Sequence, residues 1–177
     1  TPSISLLTFM HIGHAGAAIT TYSSRAALLG EGVIVAAMEN FSTSTVGTLI
    51  GNTPSTEYVS GPFTISSSSA LDTVPFRAGI SNGSHPDNFD GSVFAFLETY
   101  GSSHPNQELR NDSATILLTG EYQAFGLDLG SFAEQTSAIF HTNLGNTASV
   151  TGSGSIGSQI FAGVLTSTPG EFFTRVD

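Results

Sequence analysis

Short apolar runs recur along the chain, each closed by Gly, Pro, Asn or Ser, and the spacing is that of strands and turns. Residues 20–29 (TTYSSRAALL) begin as a strand and pass into a short helix, with Ser23 and Ser24 as N-cap candidates and Gly30 and Gly32 behind it. Residues 33–41 (VIVAAMENF) read as a buried strand, and 42–56 as a polar, turn-rich stretch. Residues 58–66 alternate apolar and polar around Gly61-Pro62, which predicts a bent edge strand. The stretch 67–88 reads as loop. Further strands are predicted at 92–99, at 113–119 and 124–129 (joined at Gly120-Glu121), at 135–141, at 159–166 and at 171–177. A hairpin is expected around Val150 and Ile156, and Thr168-Pro169-Gly170 is a strong turn signal. The pattern predicts an all-β fold, a sandwich or barrel with one short helix near the N-terminus.

Composition sharpens this picture. The 177 residues are 39% hydrophobic with 13 Phe, which suffices for one packed core. Charged residues make up only 10%, Lys is absent, and the formal net charge is −10. Phosphate backbones need clustered cations, so nucleic-acid binding is excluded as an expectation. With no Cys, neither disulfides nor thiolate chemistry arise. No stretch has the roughly 18 uninterrupted apolar residues of a membrane span.

Residues 4–19 (ISLLTFMHIGHAGAAI) resemble the apolar part of a secretory signal followed by small residues. If retained, residues 1–19 form an appendage to a domain at 20–177, and their apolar side chains need a cover. Residues 3–10 (SISLLTFM) are long enough for a strand, and Ile4, Leu6, Leu7, Phe9, Met10 and Ile12 are its assembly candidates. Such a strand is expected to add to the sheet edge of a neighbouring copy. Head-to-tail exchange of this kind builds a filament unless it closes into a ring.

Candidate chemistry is sparse. His11 and His14 are three apart, whereas His85 and His104 each precede a proline in predicted loops, and HEXXH is absent. No Gly-X-Ser-X-Gly elbow has a strand-to-helix setting. Glu98, Glu121, Asp128 and Glu134 are the carboxylates available for a paired-acid site. Asp87, Asn88 and Asp90 place oxygen donors close together and form a weak Ca²⁺ candidate. Sequons begin at Asn40, Asn82 and Asn111; Asn40 is expected on a strand, and Asn82 and Asn111 in loops open to glycosylation. Tyr58, Tyr100 and Tyr122 are the aromatic candidates for a carbohydrate-binding face. No residue is singled out as catalytic, and the chain is expected not to be an enzyme.

The segments 20–29 (TTYSSRAALL), 35–41 (VAAMENF), 114–130 (ATILLTGEYQAFGLDLG) and 161–177 (FAGVLTSTPGEFFTRVD) resemble secreted bacterial PEP-CTERM-type proteins, without their C-terminal sorting tail. The resemblance covers most of 20–177 and implies a jelly-roll-like antiparallel β-sandwich, exported and held at the cell surface or in an extracellular matrix. It carries no catalytic residue, and it makes 114–130 a central hairpin. Sequence and resemblance together predict a structural subunit that partners copies of itself. The alternative is a secreted carbohydrate-binding module partnering extracellular glycans, with Ca²⁺ as its candidate cofactor. A secreted hydrolase ranks third.

Overall fold

The computed structural model describes residues 19–48, 50–51, 53–67, 78–81, 94–97, 114–131, 136–152 and 158–177. Strands β1 (Ile19–Tyr22), β10 (Ser158–Thr166) and β7 (Ala124–Ser131) form one antiparallel sheet in the order β1-β10-β7. A six-stranded antiparallel sheet has the order β2-β3-β6-β11-β8-β9, from β2 (Tyr58–Ser60), β3 (Phe63–Ser67), β6 (Ala114–Tyr122), β11 (Phe173–Val176), β8 (Thr136–Thr142) and β9 (Thr147–Gly152). A separate hairpin pairs β4 (Ala78–Ser81) with β5 (Phe94–Leu97). The fold is mostly β and sandwich-like, with a single helix among the described residues, α1 (Arg25–Gly30). That helix starts where predicted: Ala27 N donates to the Ser24 side chain at 3.2 Å.

Register explains which residues lie inside. Tyr58, Ile65, Ile116, Val176, Phe140 and Ala148 share one line across the large sheet, and all are buried or half-buried. The next line, Val59, Thr64, Leu117, Arg175, His141 and Thr147, faces outward, as period-2 alternation requires. Phe173 and Val176 are both buried although three apart, because β11 shifts register between Phe173 and Arg175. One extra residue at such a bulge returns the following side chain to the core face.

Phenylalanines link the two sheets. Phe125 of β7 meets Phe63 at 6.2 Å between ring centroids and Phe140 at 6.1 Å, and Phe140 meets Phe173 at 6.2 Å. On the far side of the small sheet, α1 buries Leu28 over Gly126 and Gly163. A Cβ on Gly163 would stand 2.5 Å from the Phe161 ring, so that ring lies flat on the strand only because Gly is there.

Five expectations need correction. Residues 33–41 belong to no strand and are not buried as a unit: Ile34 is 88% exposed. Apolar composition alone does not supply a pairing partner. The bent strand at 58–66 is a hairpin, β2 and β3, turning at Gly61-Pro62, with β2 at the sheet edge as expected. A strand, β4, falls inside the stretch read as loop. β6 runs on through Gly120 and Glu121, and it lies in the opposite sheet from β7, so 114–130 is a corner between sheets rather than a hairpin. The hairpin near Val150 is β8–β9, turning at residues 143–146; Ile156 lies outside the described residues.

Candidate functional site

The assembly candidates Ile4, Leu6, Leu7, Phe9, Met10 and Ile12, the Ca²⁺ candidates Asp87, Asn88 and Asp90, and the sequon residues Asn82 and Asn111 all lie outside the described residues. So do His11, His14, His85, His104, Glu98, Glu134 and Tyr100. Among the described residues, no group of three or more His, Asp or Glu is arranged to hold a metal ion. Asn40, expected on a strand, is exposed in a non-strand segment, its side chain accepting from Ser42 N at 3.1 Å. Tyr58 and Tyr122 are half-buried against the core clusters, so neither forms an exposed aromatic platform.

Among the described strands, β7 forms one edge of the small sheet. It pairs with β10 in continuous register from Ser131 to Ala124, and with no other described strand. Eight residues long, it contains no Pro, no Lys and no bulge, the usual devices that blunt an edge. Its one charge, Asp128, is paired with Arg25 of α1, whose guanidinium also lies 5.9 Å from the centre of the Phe161 ring. α1 thus neutralises the only charged side chain on this edge strand.

Beyond α1 the chain runs from the outer face of the small sheet to β2, the edge strand of the large one among the described strands. Its far end is clamped. Tyr58 Oη donates to Glu39 at 3.2 Å, Ser44 Oγ lies 2.5 Å from Tyr58 Oη, and Phe41 N donates to the other Glu39 oxygen. Burial pushes the Glu39 carboxyl up, but hydrogen bonds from Ser60, Phe41, Tyr58 and Asn40 outweigh it and hold the group below its ordinary range. Phe41 adopts φ 58°, rare for a side chain of that size, and packs on Tyr58 with centroids 5.4 Å apart. Phe41, Ile50, Ile65, Tyr58 and Ile116 form a second small core that caps the part of the large sheet next to β2. Between α1 and this clamp, Ile34, Val35 and Met38 are exposed at 88%, 61% and 67%.

A second feature lies on the outer face of the large sheet. Asp177 accepts from Thr115 Oγ1 at 2.7 Å, from Arg175 Nε at 2.7 Å, and lies 2.9 Å from His141 Nε2. Three strands supply these side chains, and they meet because β11 is threaded between β6 and β8. Sequence reading missed the cluster, since strand order cannot be read from spacing. Burial raises the Asp177 carboxyl, while the Arg175 and Thr115 hydrogen bonds and the nearby Arg175 and His141 charges lower it, and the net shift is downward. A lowered folded pKa stabilises above the unfolded carboxylate range and loses that effect as pH falls through it. Asp177→Asn is therefore expected to cost about 1 kcal/mol near neutral pH, with the difference shrinking in acid, as followed by urea unfolding at several pH values. Equal costs at pH 7 and in acid would mean that the charge is idle.

No protein-family model, no curated protein and no solved structure matches the chain.

Proposed function

We propose that this protein is a structural subunit of an extracellular filament or matrix, assembling by strand addition between copies on a jelly-roll-like sandwich. The observation that carries the reading is the bulge-free β7, eight residues long, which pairs along one side with β10 and along the other with no described strand. The apolar residues 3–12 supply the donor, with Ile4, Leu6, Met10 and Ile12 alternating on one face and Leu7 and Phe9 on the other. A surface rich in Ser and Thr and with few charges suits a subunit that contacts its neighbours over much of its area. Deletion of residues 1–18 is expected to leave a folded, β-rich domain that elutes as a monomer and forms no polymer in negative-stain electron microscopy. Polymers from that deletion indistinguishable from those of the full chain overturn the reading.

A glycan-binding module is the second reading. It draws on the outer-face cluster, where Asp177, Arg175 and His141 set hydrogen-bonding groups beside the exposed aliphatic side chains Leu117 and Ile139. Binding on a glycan array by a chain that stays monomeric selects it, and repeating the array with Ca²⁺ tests the cation candidates.

A further inference from the structure

We infer that Ile34, Val35 and Met38, beside the open edge of β7, form the seat that receives residues 3–10 of a second copy of this chain; the inference rests on the assembly reading. Three observations place the seat. First, residues 33–40 make no backbone–backbone hydrogen bond to another described residue, although their composition is that of a strand. Second, both ends of the segment are fixed, by α1 at one side and by the Glu39–Tyr58 and Phe41–Tyr58 contacts at the other. The three apolar side chains are thus held out in a defined place rather than folded away. Third, the segment joins the small sheet's outer face to the β2 edge, and β7 lies on that same side of the sandwich, because Phe125 meets Phe63 of β3 edge to face whereas β1 lies towards β9. The seat therefore pairs an open backbone edge with an uncovered apolar rim.

The donor fits in length and charge. Residues 3–10 and the eight-residue β7 match in length, and the donor is uncharged. Three carboxylates flank the seat: Glu31 behind α1, Glu39 in the clamp, where it accepts hydrogen bonds, and Asp128 on β7, which is paired with Arg25. Ile34, Val35 and Met38 are exposed apolar side chains, and an apolar strand laid over them removes that surface from water, whereas a charged peptide would lose its own hydration there. Side chains from the same face of the donor would cover Ile34, Val35 and Met38 while its backbone pairs with β7.

Since the chain has no Cys, engineered cysteines report contacts without interference. Leu6→Cys subunits mixed with Val35→Cys subunits are expected to cross-link under mild oxidation, at a yield well above that of Leu6→Cys mixed with Thr147→Cys on β9. The same yield from both mixtures, or a double variant that closes within one chain and gives no dimer, overturns the seat. In parallel, Ile34→Asp with Met38→Asp, both at exposed positions, is expected to slow polymer growth by about tenfold or more while leaving the monomer's circular dichroism unchanged. If deletion of residues 1–18 stops growth but this double variant grows normally, the seat is wrong and the assembly reading stands. If the full chain forms no polymer at all, both fall.

Discussion

Glu171→Ala is expected to cost about 4 kcal/mol, lowering the melting temperature by roughly 10 °C. Glu171 is fully buried, yet no cation pairs with it among the described residues. Its charge is held by donors alone: Thr142 Oγ1 and Asn146 Nδ2 each at 2.7 Å on one oxygen, and Thr166 Oγ1 at 2.5 Å on the other. These groups come from three places. Thr142 ends β8, Asn146 lies in the turn to β9, and Thr166 ends β10 in the opposite sheet. The carboxylate sits on the turn Thr168-Pro169-Gly170, where Gly170 has φ 75° and Glu171 N donates to Thr168 O at 3.1 Å. Asn143 completes the knot by donating to Gly170 O at 3.0 Å and accepting from Phe172 N at 2.9 Å. Removing the carboxylate strands three buried or half-buried donors at once, and each unsatisfied buried donor costs about 1–3 kcal/mol.

The same geometry sets a pH dependence. Hydrogen bonding from Thr166 leads, burial opposes it, and Asn146, Thr142 and Thr168 add to it, lowering the Glu171 carboxyl from 4.5 to about 2. A depressed folded pKa means that this stabilisation is complete above pH 4.5 and disappears as pH falls towards 2. The stability gap between wild type and Glu171→Ala is therefore expected to be widest near neutrality and to narrow across that window. A gap constant from pH 7 to pH 3 in urea titrations would show that the carboxylate is not what holds the turn.

The class of fold was legible because strand periodicity is local. β5, β7, β8, β10 and β11 fall where alternation and turn residues put them, and the Ser24 cap of α1 follows from the side-chain chemistry of the first turn. What stayed hidden depends on partners. Residues 33–41 have a strand's composition, but whether they become one depends on pairing, and no described strand pairs with them. β6 and β7 read as neighbours in sequence and end in different sheets, where Phe125 of one packs against Phe63 of the other. Glu171 looked like an ordinary strand-start acid; only the meeting of two turns distant in sequence makes it a buried hub. The β7 edge and the Asp177 cluster are products of strand order in the same sense, and no single-strand pattern announces either.

Phe140→Ala is the second large loss expected, about 3–5 kcal/mol. Phe140 is fully buried and occupies the centre of the aromatic chain, touching Phe125 of the small sheet and Phe173 of the large one. Both contacts vanish with the ring, and neither neighbour can follow it, since Phe173 is itself fully buried beside the β11 register shift. Ile139→Ala is the internal control. Ile139 is one residue away but points out of the sandwich at 41% exposure, so its truncation is expected to cost about 0.5 kcal/mol. Chemical unfolding of both variants should shift the midpoint and leave the slope unchanged. Because Phe125 belongs to β7, loss of Phe140 is also expected to speed hydrogen exchange in β7 more than in β9, which has no part in the aromatic chain. That difference would show that the core, and not only its own pairing with β10, keeps the β7 edge straight enough to receive a strand; uniform acceleration across all strands would mean that Phe140 supports the whole sandwich and the edge has no privileged link to it.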